Sequence, residues 1–417
     1  MSLWRNGDFL RLWSAQTISQ FGTQVTILAL PLAAILVLDA SAFEVAVLTA
    51  LEWLPWLLFG LPAGAWVDRL PRRTMLIVTD LARAAALLSV PLAYAFDALT
   101  LWQLFGVGFL TGTLTVFFDV AYVAYLPSLV ERRQLGEGNA KLETSRSAAY
   151  VGGPGLSGML VQLVGAPAAV LADAVSYVVS ALFLGAIRKG EERRPRVEGA
   201  RLRTEVVEGI RFVLSHPYMR PSIPFVAASN FFYNVLFAVF LVYAVRSLEL
   251  DPAAIGLTLM LGNVGLVLGA VTATRVGAWL GVGPTIIVCA SLLGWPSLFI
   301  PLAPAEYAVP ILVAVFAVLG YAGMVFNVVG ISLFQATTPD RLQGRATASR
   351  RLVNFGVVPI GALTGGLLSK WVGLEETLWI GAVGATVAFV PLLFSPLRSV
   401  REVPEDGELE ATPAPVA

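Results

Sequence analysis

Twelve runs of about twenty residues apiece, nearly empty of charge and separated by short polar connections, dominate this chain. A bilayer hydrocarbon core about 30 Å thick is crossed by roughly 20 helical residues. Inside it every backbone N–H and C=O must be bonded within its own segment, so such runs are helices. The runs cover 12–38, 43–66, 75–96, 101–127, 143–164, 167–187, 221–245, 253–274, 284–303, 306–334, 350–372 and 376–397. Hydrophobic residues make up 57% of the chain and charged residues 13%, against about 45–50% and about 25% in soluble proteins. Mean hydropathy is +0.76. The first run is too long and too polar for a secretory leader and lacks a small-residue cleavage site.

Several function classes fall away at once. Basic and acidic side chains number 28 each, so no global field points to nucleic acid as a partner. A lone His216 excludes every two-histidine metal motif, and no phosphate-binding G-x-x-x-x-G-K-[ST] string occurs. Cys289 is the single cysteine and cannot form an intramolecular disulfide. No nucleophile-base pair stands out, so neither an enzyme nor a resident metal or cofactor is expected.

Arginine and lysine collect in alternate connections: Arg5 and Arg11, Arg69 to Arg73, Arg132 to Lys141, Arg188–Arg220, Arg275, Arg341 and Arg345, then Arg398 and Arg401. The other connections offer only Arg246 and Lys370 near helix ends, beside Asp39, Asp97, Glu249, Asp251, Glu306, Glu375 and Glu376. By the positive-inside rule both termini face the cytoplasm of a bacterial cytoplasmic membrane. The expected fold is all-α and integral to the membrane, twelve transmembrane helices as two six-helix bundles. Residues 1–187 form the first bundle and 221–397 the second. Between them 188–220 is a cytoplasmic linker with an amphipathic helix at Thr204–Leu214. The acidic, proline-rich tail 398–417 reads as disordered.

A shift of about 205 to 210 residues superposes odd features in order, as parallel repeats do. Gly60 and Gly64 fall on Gly265 and Gly269, Pro91 on Pro296, and Pro154 on Pro359. Ser19, Gln20 and Gln24 fall on Ser229, Asn230 and Asn234, and Asp119 falls near Asn327. The acids Asp68, Asp80 and Asp119 meet uncharged residues, so coupling chemistry is expected in the first half.

After the second span stands Gly64-Ala-Trp-Val-Asp68-Arg69-Leu-Pro71-Arg72-Arg73. It resembles the G-x-x-x-D-[RK]-x-G-[RK]-[RK] signature of the major facilitator superfamily, with Pro71 where glycine is usual. The resemblance spans essentially residues 1–400, and it implies that Gly64, Asp68, Arg69, Arg72 and Arg73 latch a cytoplasmic gate. A positive-inside anchor would explain Arg72 and Arg73 but not Asp68. The fifth span holds Gly152, Gly153, Pro154 and Gly158. No strand precedes this string, so it is not a dinucleotide fingerprint. It is similar to the glycine-proline bend motif of the family's exporters; an ordinary kinked packing helix is the alternative. Asp80-Leu-Ala-Arg83-Ala and Phe117-Phe118-Asp119 with its sequel to Pro127 resemble the drug and siderophore exporter branch, macrolide-efflux-like and enterobactin-exporter-like. Leu101–Val116 lacks the early arginine that drug/proton antiporters carry in their fourth span.

An ionisable side chain in lipid costs at least about 2.5 kcal/mol, so each one is a functional candidate. Glu52, Asp80, Arg83, Asp119 and Asp173 qualify. Asp80 and Arg83 are three apart on one helix face and form an intramembrane charge pair. Glu52 and Asp119 are the proton-coupling candidates, Glu52 because no cation is near it in sequence. The family's cavity is lined by spans one, four, seven and ten. There Gln16, Gln20 and Gln24, then Asn230, Tyr233, Asn234 and Phe237, then Tyr321 and Asn327 place amides beside aromatics, which suits an amphipathic organic ligand. Hydrogen bonding between helices is the other use of such amides. The expected protein is a monomeric secondary transporter that exports a small organic molecule by alternating access, with a proton gradient as its energy source and the lipid bilayer as its surroundings. An importer or lysophospholipid-type flippase of the same fold, or a non-transporting membrane sensor, are the rival readings.

Overall fold

The computed structural model describes residues 3–60, 62–67, 69–189, 211 and 220–402. The expected amphipathic helix at 204–214, nearly all of the tail, and Asp68 lie outside the described residues. Among the described residues there is no strand. The helices in chain order are α1 (Gly7–Val37), α2 (Ala42–Phe59, continued by the short helix Pro62–Val67), α3 (Arg72–Ala95), α4 (Leu101–Leu129), α5 (Leu135–Val164) and α6 (Ala166–Gly185). Then come α7 (Ser222–Arg246), α8 (Pro252–Leu280, broken at Asn263), α9 (Val282–Phe299, ending in a 3-10 turn), α10 (Ala308–Thr337), α11 (Asp340–Trp371) and α12 (Leu374–Leu393, broken after Val387).

Ten of these are long and apolar enough to cross a membrane. The other two, α5 and α11, begin well before the apolar runs at 143 and 350, with polar starts that include Glu137, Lys141, Asp340 and Arg341. Hydropathy ends where charge begins, whereas helical hydrogen bonding continues through it, so apolarity marks the lipid-buried part of a helix and not its length.

Local chemistry sets the helix ends. Asn6 caps α1 by accepting from the N–H groups of Asp8 and Phe9, both at 3.1 Å. Ser41 and Glu44 form a reciprocal capping box on α2. The turns also carry the duplication. The turn after α1 has Asp39 at φ +48° and the turn after α7 has Glu249 at φ +52°. Ala40 N–H donates to Ala34 O and Leu250 N–H to Ala244 O, each at 2.9 Å, so the two helices end in the same closure across six positions. Gly165 and Gly373 join α5 to α6 and α11 to α12 at φ +83° and +104°, a region that favours glycine.

The chain divides into two compact units. The first comprises Met1–Gly199 with Phe237–Met260 and Val358–Leu374, and the second the remainder. In the first, Phe9, Leu12, Leu76, Phe118, Ala121, Tyr125 and Leu126 form a core at the end of the bundle where α1 starts. In the same unit Ala46, Ala50, Ala238 and Ala362 make a small-residue contact. The second unit centres on Phe225, Ala273, Ile286, Val325 and Leu392.

Candidate functional site

In the first unit α3 buries Leu76, Thr79, Asp80, Arg83, Leu87 and Val90, steps of one, three or four that put them on one face. On α6 the buried set Val170, Asp173, Ser176, Tyr177, Ser180 and Leu184 has the same spacing. The polar members of the two faces interlock. Asp80 and Arg83 form an ion pair, and both are almost wholly buried. Ser180 donates to the other oxygen of Asp80 at 2.6 Å. The Arg83 guanidinium lies between two rings, 4.3 Å from the centroid of Phe118 on α4 and 4.1 Å from that of Tyr177, where the faces of both rings attract the cation.

The hydrogen bonds from this pair run in one direction. Thr23 on α1 uses its single hydroxyl proton on Ser19 O at 2.8 Å, so in its 2.9 Å contact with Tyr177 the tyrosine is the donor. Tyr177 oxygen then accepts from Arg83 at 3.4 Å, and Thr115 on α4 accepts from the same nitrogen at 3.4 Å. One cation thereby links α1, α3, α4 and α6. Asp173 lies a turn beyond Tyr177, its two oxygens accepting from Thr26 at 2.6 Å and Ser176 at 3.0 Å. Gly22 lets α1 come this close, because a Cβ there would meet Asp173 and Ser176.

The coupling candidates stand apart from this pair in different ways. Glu52 is half-buried on α2 against Gly108 and Gly112 of α4, and its carboxylate has no hydrogen-bond partner among the described residues. Asp119 is half-buried beside Phe118, and its charge acts on Arg83 and Tyr122. Asp119 is seven residues beyond Gly112 on α4, roughly 10 Å along the axis, so the two acids do not share a site.

Of the expected gate cluster, Gly64 is half-buried and a Cβ on it would meet nothing within 4 Å. Arg69 is exposed. Arg72 donates to Ala124 O at 2.9 Å, and Arg73 to Leu184 O at 3.0 Å and to Gly185 O. Both therefore serve carbonyls near helix C-termini, where positive charge is favourable.

In the fifth span Gly158 is a close crossing, for a Cβ would collide with Pro252 O and Gly256 of α8, and Gly256 in turn packs on Pro154 O. Gly153 receives the Cβ and Cγ of Gln24, while Gly152 has only Phe21 at 3.8 Å. The glycine-proline string is thus a contact surface with a proline inside the helix.

The amide stripe divides. Gln24 is buried in that contact, and Gln16 is buried with its amide nitrogen lacking a partner among the described residues. Gln20 is half-buried. Asn230 donates to Val226 O at 2.8 Å and to Asn354 at 3.0 Å, and Asn234 donates to Asn230 O at 2.8 Å. The Tyr321 hydroxyl lies 3.2 Å from that of Thr272 and donates to it, since Thr272 uses its own proton on Leu268 O at 2.7 Å. Tyr233, Phe237 and Asn327 are exposed. Tyr177, Ser180 and Thr115 were not singled out in the sequence. The signal that could have found the first two is their step of four and seven residues from Asp173.

Ten described helices are long and apolar enough to cross a membrane, and the family and relatives that match the chain make it a multi-pass transporter of the major facilitator type and not an enzyme. The chain belongs to the transmembrane secretion effector family, whose profile matches residues 1–416. It is 26% identical over 407 residues to the multidrug efflux pump Tap of Mycolicibacterium fortuitum, covering 93% of this chain and 97% of that protein. It is 22% identical over 400 residues to macrolide efflux protein A of Streptococcus pyogenes, with 95% and 97% covered. Among solved structures, a bacterial homologue of the iron transporter ferroportin in its inward-facing state gives a TM-score of 0.76 at 17% identity, over 96% of this chain and 100% of that one. A D-xylose-proton symporter gives 0.69 at 16% identity, over 94% and 98%. These likenesses establish the fold.

Proposed function

We propose that this protein exports a small amphipathic organic molecule from a bacterial cytoplasm in exchange for protons, by alternating access of the halves 1–187 and 221–397 with both termini inside the cell. The observation that carries the proton coupling is the distribution of acids. Within the spans, away from their ends, carboxylates occur at Glu52, Asp80, Asp119 and Asp173, all in the first six. Asp80 has Arg83 as its counter-ion. Glu52 and Asp119 are the acids assigned to the moving proton, since coupling needs a carboxyl that is protonated in one access state and released in the other. Asp68 with Arg69, Arg72 and Arg73 is assigned to the inner gate. Aromatic and amide side chains such as Tyr233, Phe237 and Asn327 are assigned to the cargo path, and the efflux names of the relatives support an organic cargo.

The test uses inside-out vesicles carrying the protein and a labelled macrolide or lipophilic cation. An acid-inside pH gradient is expected to drive accumulation of the probe, and an uncoupler to abolish it. Accumulation that ignores the gradient would remove proton exchange from the account.

A further inference from the structure

Asp173 on α6 is 1% exposed and stands outside the coupling and gating roles assigned above. Thr26 of α1 gives its hydroxyl proton to Oδ2 at 2.6 Å. Among the described residues Oδ1 has a single hydrogen-bonding neighbour, the Ser176 hydroxyl at 3.0 Å. Ser176 has one proton for two acceptors, since the backbone oxygen of Asp173 lies closer, at 2.8 Å. With that proton on the carbonyl, as is usual for a serine within a helix, the contact between Oδ1 and Ser176 Oγ lacks a hydrogen. An ionised Asp173 leaves it lacking. A carboxylic acid supplies it: Oδ1–H donates to Ser176 while Oδ2 accepts from Thr26.

The charges around the site lead to the same protonation state. Helix α6 packs on α1, α3 and α5. Between Arg11 and Asp39 α1 carries no titratable side chain, and α5 carries none beyond Tyr150. Arg72, Arg73 and Tyr94 stand at the ends of α3, so the titratable groups facing Asp173 are Asp80 and Arg83 on α3 and Tyr177 on α6 itself. Arg83 bonds to Asp80, Tyr177 and Thr115 and not to Asp173, and the charge of Asp119 acts on it as well. One buried cation against two buried carboxylates would leave an uncompensated anion in the bundle, which burial makes costly. A proton on Asp173 removes that anion.

Gly22 of α1 covers the protonated oxygen. A Cβ there would collide with Ser176 Oγ and lie 2.5 Å from Asp173 Oδ1, so the backbone of α1 seals the Oδ1–Ser176 contact from water. We propose that Asp173 binds a proton in this conformation and exchanges it only when α1 moves off α6. Release breaks the Oδ1–H bond, passes the proton to water admitted by that movement, and leaves a carboxylate one turn from Tyr177. This adds a third proton site to those at Glu52 and Asp119 and rests on the export reading only for its part in transport.

The experiment is infrared difference spectroscopy of the full chain in liposomes at neutral pH, in water and in deuterium oxide, without cargo or gradient. The wild type is expected to show the C=O stretch of a protonated carboxyl, shifting on deuteration more slowly than solvent-exposed groups exchange. Asp173→Asn keeps both hydrogen bonds, its amide donating to Ser176 and accepting from Thr26, and is expected to lose that band. Thr26→Val removes the donor to Oδ2 and is expected to move the band to higher frequency, a shift that identifies Asp173 even where the asparagine variant fails to fold. A spectrum in which no protonated-carboxyl band responds to either substitution overturns the proposal, because the proton then belongs to another acid or to none. Deuteration of the band as fast as that of exposed groups overturns the cover by α1. Export that ignores a pH gradient would leave this band in place, and absence of the band would leave Glu52 and Asp119 as assigned, so the two readings fail separately.

Discussion

Asp80, Arg83 and Asp173 lie inside the first six helices, and hydroxyls from α1, α4 and α6 converge on them. The second six are joined by the opposite means. A Cβ on Gly265 would collide with Ala317 O, one on Gly269 would lie 2.7 Å from Tyr321 O, and one on Gly294 would lie 2.5 Å from Ala385 O. Several of its buried hydroxyls close within their own segment, Thr337 on Leu333 O at 2.8 Å and Ser395 on Leu392 O at 2.7 Å among them. Backbone-to-backbone contact of this kind tolerates no added atom, whereas a cluster of charges and hydroxyls has discrete alternative pairings. The two halves of one duplication have thus kept the fold and divided the chemistry.

The comparison breaks first at Arg83. Arg83→Leu leaves Asp80 buried without its counter-ion, and removing one partner of a buried pair costs about 3–5 kcal/mol. Thermal unfolding in detergent is expected to show that loss, and Asp80→Leu together with Arg83→Leu to recover most of it. A single variant as stable as the wild type would mean the cluster does not hold the first bundle.

Glycine positions related by the repeat sharpen the contrast. Gly269→Ala in the second bundle forces an atom against backbone, an overpacking cost of about 1–3 kcal/mol. Gly64→Ala, its counterpart in the first, enters open space and is expected to change the melting temperature little. Equal effects at the two sites would erase the difference. Tyr177→Phe removes one hydroxyl while keeping the ring over Arg83, an expected loss of about 1 kcal/mol. The smallest effect is expected at Arg246, whose 2.5 Å bridge to Asp39 is largely exposed. Arg246→Ala should cost under about 1 kcal/mol, and a larger loss in thermal unfolding would show that this pair does more than an exposed bridge.

How far the sequence could be read depends on what each feature needs. A span needs only its own residues, so the helices were legible, ten of them long and apolar enough to cross a membrane, while the polar starts of α5 and α11 were missed because charge hides helix from a hydropathy reading. Asp80 and Arg83 are three apart, and the pair was visible because both partners share one helix. Tyr177 was not, since its role depends on α1 and α4, more than fifty residues away in sequence. Gln24 and Asn230 looked like cavity groups. Gln24 instead packs on Gly153, and Asn230 is bonded to Val226 and Asn354, because an amide on a polar stripe does not say which neighbour it faces.

Proton coupling is assigned to the acids of the first bundle. It is tested most directly by reconstituting the wild type, Glu52→Gln and Asp119→Asn in liposomes, imposing a pH gradient, and following both uphill transport and equilibrium exchange of one labelled macrolide. The account predicts that at least one variant loses gradient-driven accumulation while keeping exchange, because exchange needs no net proton movement. Accumulation by both variants as strong as that of the wild type would contradict it.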